Sequence, residues 1–150
     1  MSQSLVKNLL HLVFSTKHRR PLLATDLRPA LFAYQAGTLK NLKSPAVVIG
    51  GIEDHIHILF LLSKAAALAD VVEELKTSSS IWFKQQAGGT RDFAWQPGYA
   101  AFSVSESNVA AVAEYIRTQE EHHRRMTFQD ELRAILTKHG VEFDERYLWD

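Results

Sequence analysis

The order of strand-like and helix-like segments constrains the fold of this chain more than any other feature of its sequence. Runs with strand-like composition and alternation cover residues 8–17, 46–53, 55–62 and 98–105. Helical spacing of apolar residues separates the first run from the second and the third from the fourth. The resulting order, β-α-β-β-α-β followed by two helices, predicts an α+β fold of the ferredoxin-like, split β-α-β type with an antiparallel sheet.

Capping and breaking residues suggest where the helices begin and end. Thr25 can cap the first helix, and the second is expected over residues 66–86, before a pair of glycines. Ser105 or Ser107 can cap the third helix. A capping box, "TFQD", is expected to start the last helix within residues 127–140.

This topology puts the first and third strands in the middle of the sheet. The two crossover helices should cover one face of the sheet and leave the other face free. The chain of 150 residues suits one domain over residues 1–150, with a core of its own.

Composition excludes several classes of protein. The chain is 46% hydrophobic and 23% charged, which is typical of a globular domain. It has no cysteine, so disulfides and thiolate metal sites are excluded, and a cytoplasmic location is expected. There is no run of eighteen apolar residues and no convincing signal peptide, so no membrane span is expected.

Charge is balanced overall but unevenly distributed. Residues 1–50 carry seven Lys or Arg and one acid, whereas residues 101–150 carry six and ten. The basic first third can form a phosphate-facing patch or an ordinary solvated surface, and charge alone does not decide between them.

Two histidines stand one residue apart at the start of the third strand, in "DHIHILFLL". Alternation puts His55 and His57 on one face of the sheet and the intervening Ile56 on the other, under the helices. Two imidazoles side by side suit a metal ion. A pair of hydrogen-bonded surface histidines is the alternative interpretation.

A tyrosine and a glutamine lie four residues apart in "EYIRTQ". On a helix, Tyr115 and Gln119 share one face. Beside a metal, the amide oxygen can be a third, hard ligand, and the phenol can be a nucleophile. Free tyrosine has a pKa near 10, so a cation or base must help it lose its proton. The alternative is that Tyr115 only packs on the sheet.

Taken together, "DHIHILF" and "YIRTQEEHH" resemble the HUH endonucleases with a single catalytic tyrosine, and most closely the insertion-sequence-200-like transposases. The resemblance extends over nearly the whole chain and includes "HLVFSTKHRRPLL", "LKTSSSIWFKQQ", "WQPGYAAFSVS" and the closing "YLWD". An H-x-H pair alone is common, but the ordered set of motifs is highly specific.

The resemblance implies a chemistry and a role for each matching residue. His55, His57 and Gln119 match the ligands of a divalent metal, Mg²⁺ or Mn²⁺. Tyr115 matches the nucleophile that attacks a DNA phosphate and stays joined to its 5′ side, as covalent catalysis without ATP. Family members act on single-stranded DNA, recognise hairpins near element ends and usually work as dimers.

The resemblance also bears on assembly. It favours a site shared in trans, in which the histidines of one chain work with Tyr115 of another. Relatives often have a hinge glycine before the tyrosine helix, but the junction here is "SVSESNVAA". How freely this helix moves is therefore open.

Candidate DNA contacts come from several places in the chain. Basic side chains that can hold phosphates are Lys17, Arg19, Arg20, Lys76, Arg124 and Arg125, with Ser78, Ser79 and Ser80 beside Lys76. Trp95 can stack a base, whereas core packing is expected for Trp82 and Phe83.

Three other functions remain open from the sequence. A domesticated relative would use the same chemistry on repeat-associated hairpins for its host. A non-catalytic nucleic-acid-binding module would display strand aromatics on its open sheet face, where His55 and His57 are expected instead. A small zinc hydrolase would need a water-activating base and would have no use for Tyr115.

Overall fold

The computed structural model describes residues 2–150, which form a four-stranded sheet and five α-helices. The strands are β1 (Asn8–Ser15), β2 (Ala46–Gly51), β3 (His55–Leu62) and β4 (Ala100–Ser103). The helices are α1 (Arg28–Asn41), α2 (Leu68–Lys84), α3 (Val109–Arg117), α4 (Gln119–His122) and α5 (Phe128–Lys138). Short 3₁₀ turns lie at Lys17–Arg19 and Glu106–Asn108.

The strands are arranged in the order β2-β3-β1-β4, and every neighbouring pair is antiparallel. The predicted α+β, ferredoxin-like architecture is therefore confirmed, with β1 and β3 in the centre of the sheet. In the register between these two strands, Ser15 lies opposite His55 and Val13 opposite His57. The end of β1 thus lies beside the histidines.

One face of the sheet packs against α1 and α2. Alternation along β3 sends Ile56, Ile58 and Phe60 into this core, where they meet Phe14 from β1 and Leu75 from α2. All five side chains are fully buried. This burial provides the hydrophobic driving force for that half of the fold.

The opposite face is covered as well, by α3, α5 and the C-terminal segment. Ile116 of α3 packs against Leu59, and Leu132 of α5 packs against Phe102. The α3 backbone lies so close to β2 that a Cβ at Gly50 would be 2.2 Å from the Ile116 carbonyl oxygen, which explains the glycine there. The expectation that this face is free was incomplete, because the sequence order says nothing about where the last helices pack.

Two predicted helix starts differ from the structure. No side chain caps α1, which follows Leu27 and has a proline in its first turn, so Thr25 does not have the predicted role. Ser105 and Ser107 bond to each other through their hydroxyls, 3.0 Å apart, and cap no helix. The predicted cap at Thr127 is confirmed, since its hydroxyl accepts a hydrogen bond from the Asp130 amide.

The helix that carries Tyr115 ends sooner than its spacing predicted. Thr118 has φ −104° and ψ 28°, which interrupts the helix and makes Gln119 the first residue of α4. The Gln119 side chain still reaches back, and its Nε2 donates to the Tyr115 carbonyl at 3.4 Å. The two side chains therefore stay neighbours despite the break.

Within residues 2–150, none of the helices has the length and apolar character needed to span a bilayer.

Candidate active site

Strand β3 places His55 and His57 side by side on the face covered by α3 and α5. Their ring centroids are 5.2 Å apart, and both side chains are fully buried. The predicted common face is thus correct, but the pair is enclosed rather than displayed at the surface.

A carboxylate from α5 completes this buried group. Glu131 Oε1 lies 3.0 Å from His57 Nε2 and 3.4 Å from His55 Nε2. One ligand atom from each of the three residues lies within 4.8 Å of the others. Two imidazole nitrogens and a carboxylate oxygen form a donor set that suits a divalent metal ion, so the residues fit the group that the motifs imply.

Hydrogen bonds compensate for the burial of Glu131, which is only 2% exposed. Burial alone would raise the pKa of its carboxyl group, because an isolated charge is costly away from water. Hydrogen bonds from His123, His55 and His57 outweigh this effect and hold the pKa of Glu131 well below its usual range. The carboxylate is therefore ionised and ready to accept hydrogen bonds or bind a cation.

Gln119 belongs to the same group and is 1% exposed. Its Oε1 is 3.2 Å from His55 Nε2 and 3.1 Å from His123 Nε2, while its Nε2 donates to Glu131 Oε2 at 3.3 Å. The amide oxygen thus faces His55 of the histidine pair, as a ligand of the same metal must, and it also faces His123.

Tyr115 approaches the group from α3. Its hydroxyl donates a hydrogen bond to Glu131 Oε2, and its ring centroid is 5.7 Å from that of His57. Burial and the negative charge of Glu131 raise the pKa of Tyr115, so the phenol is protonated in this state. The structure brings together the four residues predicted from the motifs, His55, His57, Tyr115 and Gln119.

Both histidines also form hydrogen bonds through their Nδ1 atoms. His55 Nδ1 is 2.7 Å from Asp54 Oδ1, and His57 Nδ1 is 2.8 Å from His11 Nε2. Burial alone would lower the pKa of His55, but hydrogen bonds to Asp54 and Glu131 raise it to about 9.

The other two imidazoles shift in the opposite direction. Burial lowers the pKa of His57, and burial together with the neighbouring His57 lowers that of His11 to about 3. These two rings are neutral at physiological pH, whereas His55 is protonated.

Sequence reasoning missed Glu131, His11, Asp54 and His123 as parts of the site. Weak signals exist for two of them. Glu131 lies three residues after Phe128 and four before Ile135, at the spacing of the apolar face of α5. His11 interrupts the apolar run "LLHLVF" of β1. A polar side chain in an apolar position needs a partner inside the protein.

A groove of about 820 Å³ lies beside Tyr115, between α3 and α5. Apolar side chains such as Val112 and Ile135 line it together with the cationic Arg125 and Lys138 and the acidic Glu121. The groove also reaches Glu131. It therefore connects the surface with the tyrosine and its carboxylate partner.

The predicted basic turn follows β1 directly, at the same end of the sheet as His55. Lys17 is exposed, and Arg19 lies over the Trp149 ring at 5.4 Å. Arg20 pairs with Asp92 at 2.8 Å. Two residues of the turn, His18 and Arg19, have φ near +60°, an uncommon conformation for residues other than glycine.

Lys76, a predicted phosphate contact, is half-buried, and its ammonium group is hydrogen-bonded to backbone carbonyls. Its Nζ donates to the carbonyl oxygens of Gln96 at 2.8 Å and Gly98 at 2.6 Å. Burial lowers its pKa to about 8. These hydrogen bonds connect α2 to the segment before β4.

Trp95 is a core residue and not an exposed base-stacking platform. It is 7% exposed, its ring packs edge-on against Phe14, and its Nε1 donates to Ser79 at 3.0 Å. The core position expected for Phe83 is confirmed, because its side chain is buried. Trp82 is only half-buried, so the same expectation is confirmed in part for it. The predicted contacts Arg124 and Arg125 are both exposed after α4.

Known proteins resemble this chain in sequence and in fold. The family model described as "Transposase IS200 like" matches residues 4–119. The ISDra2 transposase TnpA of Deinococcus radiodurans is 26% identical over 124 residues, which cover 73% of this chain and 81% of that protein.

Two solved structures share the fold. A Deinococcus radiodurans protein provisionally described as a transposase aligns with a TM-score of 0.58 and 23% identity, over 77% of this chain and 94% of that one. A REP-associated tyrosine transposase bound to a REP hairpin aligns with a TM-score of 0.56 and 16% identity, over 77% of this chain and 70% of that one.

Proposed function

Because this chain belongs to the IS200-like transposase family, we propose that it cuts and rejoins single-stranded DNA at the ends of a mobile element through a covalent tyrosine–DNA bond. The observation that carries the proposal is the contact of the Tyr115 hydroxyl with Glu131, inside a buried group that also contains His55 and His57. A phenol, a carboxylate and two imidazoles in contact have no simple packing explanation, since burying them costs free energy.

A divalent metal would be held by His55 Nε2, His57 Nε2 and Glu131 Oε1, with the Gln119 amide oxygen beside them. Nitrogen and oxygen ligands without sulfur favour a fairly hard ion, and we propose Mg²⁺ or Mn²⁺. When bound, such an ion polarises a phosphate oxygen and neutralises the charge that develops on it.

Tyr115 is the proposed nucleophile. Its hydroxyl oxygen attacks the DNA phosphorus, the bond from phosphorus to the 3′-oxygen breaks, and the 5′ side of the cut remains on the tyrosine. Before attack, the raised pKa of Tyr115 and the lowered pKa of Glu131 keep the proton on the phenol. As the bond to phosphorus forms, the phenol oxygen becomes acidic, and its proton passes to Glu131 Oε2, which already accepts its hydrogen bond. The proton is then available to the departing 3′-oxygen. Attack by another 3′-hydroxyl reverses these steps and joins two strands.

The groove between α3 and α5 is the proposed route of the DNA strand. His55, His57, Gln119 and Glu131 are at most 2% exposed, whereas Tyr115 is half-buried and lines the groove. A scissile phosphate would therefore reach the site from the side of Tyr115.

The lining of the groove suits a single strand. Arg125 and Lys138 can hold phosphates on either side of the scissile one, and the apolar lining can pack against unpaired bases. A flexible strand can follow such a path between two helices, which favours single-stranded or hairpin DNA over a perfect duplex.

Hairpin DNA is the proposed partner outside the catalytic groove. The fold is similar to that of a REP-associated tyrosine transposase which binds a REP hairpin. Lys17 and Arg19, on the turn after β1, are candidates for phosphate contacts to such a hairpin. A homodimer and a cytoplasmic location remain predictions.

The same similarity favours a second candidate function. A domesticated relative would use the same chemistry on repeat-associated hairpins, without moving an element of its own. The genomic surroundings of the gene separate the two candidates, because a transposon would carry subterminal hairpins at both of its ends.

A direct experiment tests the proposed chemistry. The protein is incubated with Mn²⁺ and oligonucleotides from its own genomic flanks, either single-stranded or annealed to their complements. We expect a denaturant-resistant protein–DNA adduct with the single strand, little with the duplex and none in EDTA. A zinc hydrolase or a non-catalytic binding module would form no adduct under any of these conditions.

A further inference from the structure

His57 has a hydrogen-bond partner on each of its two ring nitrogens. Nε2 is 3.0 Å from Glu131 Oε1, and Nδ1 is 2.8 Å from His11 Nε2. Two imidazole nitrogens at this distance share one proton, which either ring can donate to the other. From this geometry we propose that His11 is a positioning residue, which keeps the His57 ring oriented toward the metal position by exchanging donor and acceptor roles with it. The inference rests on the proposed function of His57 as a metal ligand.

The sheet brings His11 into this position. On β1, His11 lies opposite Leu59, two residues beyond His57 on β3, so the two rings are diagonal neighbours on one face. Their centroids are 5.1 Å apart, and His11 is 6% exposed. Little water can compete for the bond at this depth, so its loss would leave a buried nitrogen of His57 without a partner.

The two histidines have different kinds of support. The partner of His55 is Asp54, whose carboxylate oxygens act as hydrogen-bond acceptors. The partner of His57 is an imidazole, which can donate or accept. His57 can therefore carry its proton on either ring nitrogen without losing its hydrogen bond to His11.

This difference matters when a metal binds. While His57 Nε2 donates to Glu131, its proton is on Nε2, and His11 Nε2–H donates to His57 Nδ1. When His57 Nε2 serves as a ligand, its proton is on Nδ1 and is donated to His11 Nε2, while His11 carries its own proton on Nδ1. The shared proton crosses from His11 Nε2 to His57 Nδ1, the proton on His57 Nε2 is released, and His11 Nδ1 takes up another from solvent in the groove that His11 lines. Each ring holds one proton in both arrangements, so the exchange changes no net charge. A group that only accepts could support just the second arrangement.

Nuclear magnetic resonance on ¹⁵N-labelled protein tests the bond itself, without DNA. We expect a scalar coupling across the hydrogen bond between His11 Nε2 and His57 Nδ1, both without metal and with Mg²⁺. The proton of His57 should be on Nε2 without metal and on Nδ1 with Mg²⁺. Absence of the coupling, or a proton that stays on one nitrogen, overturns the proposal.

Variants of His11 test the positioning role. His11→Phe keeps an aromatic ring of similar size but removes the partner nitrogen, and we expect its Mn²⁺ affinity to fall about 10- to 100-fold in calorimetry. His11→Gln, whose amide can donate or accept, should recover most of that loss. The matched control is His139→Phe, since His139 also packs on Phe102 but does not touch His57.

The outcomes for His11 and for the proposed function are separable. Wild-type Mn²⁺ affinity in His11→Phe would overturn the positioning role, even if the wild-type protein forms a DNA adduct. A wild-type protein that forms no adduct, yet shows the coupling and the His11 effect, would contradict the nuclease function and leave the role of His11 intact. If both His11 variants fail to fold, the coupling and the proton position in the wild-type protein still decide.

Discussion

The hydroxyl of Tyr115 donates a hydrogen bond to Glu131 Oε2, which links the tyrosine helix α3 to the C-terminal helix α5. The other oxygen of the same carboxylate faces His57 Nε2 at 3.0 Å. One side chain thus contacts both the proposed nucleophile and the proposed metal ligands. We expect Glu131 to be important both for metal binding and for the protonation state of Tyr115.

Comparing Glu131→Gln with Gln119→Ala should show which of the two residues is the stronger metal ligand. The Glu131→Gln substitution keeps the side-chain shape but removes the charge, so Mn²⁺ affinity should fall on the order of 100-fold. Gln119→Ala should cost less, because a neutral amide oxygen is a weaker ligand than a carboxylate. Calorimetric titration with Mn²⁺ measures both, and Glu114→Gln at an exposed position of α3 outside the groove is the control. Wild-type affinity in Glu131→Gln would show that the carboxylate is not a ligand.

Metal affinity should rise with pH up to about 9. The pKa of His55 is raised to about 9, so below that pH a proton occupies a ring nitrogen that the metal needs. Displacing one proton makes the affinity increase by roughly tenfold per pH unit, and above pH 9 this contribution should level off. Asp54→Asn removes the negative charge that helps to raise the pKa of His55, so the plateau should begin at lower pH. A pH-independent Mn²⁺ affinity between pH 6.5 and 8.5 would contradict this assignment.

Much of the fold followed from the sequence because the elements are local patterns. Alternation and helical spacing identified four strands and the crossover helices, and the β-α-β-β-α-β order predicted the central position of β1 and β3. The common face of His55 and His57 followed from the two-residue period of a strand. The break at Thr118 was not predictable, because neither glycine nor proline marks it.

The site residues that the sequence did not reveal are brought together by tertiary packing. Glu131 is 74 residues from His57, and His11 is 46 residues away. Only the docking of α5 and the pairing of β1 with β3 bring them to the histidines. The hydrogen bonds of Lys76 were not predictable for the same reason, since its three carbonyl partners lie around the loop before β4.

Charge in the groove should control the binding of single-stranded DNA. Replacing Arg125 and Lys138 together by alanine should weaken binding and reduce the slope of log affinity against log salt by about 1.4, or ~0.7 for each lost phosphate contact. Mn²⁺ affinity should not change. The matched control is Lys84→Ala with Arg91→Ala, which removes the same charge from exposed positions outside the groove. Equal loss in both double variants would mean that net charge, and not the groove, drives binding.

The single chain brings all parts of the site together, with Tyr115 over its own His57. We therefore predict catalysis in cis, whereas the family resemblance favours a shared site. Inactive His57→Ala and Tyr115→Phe proteins are mixed under conditions that allow subunits to exchange. In cis, every site lacks one part and the mixture stays inactive. Recovery of cleavage in proven mixed dimers would establish the trans arrangement instead.

The identity of the nucleophile is the central claim, and mapping the covalent adduct tests it most directly. The adduct formed with Mn²⁺ and a single-stranded oligonucleotide is digested with trypsin, and the DNA-linked peptide is sequenced by mass spectrometry. We predict a 5′-phosphate joined to Tyr115, on the peptide that ends at Arg117, and no adduct with Tyr115→Phe, while Tyr99→Phe reacts like the wild-type protein. A phosphate on any other residue, or an undiminished adduct in Tyr115→Phe, would contradict the account.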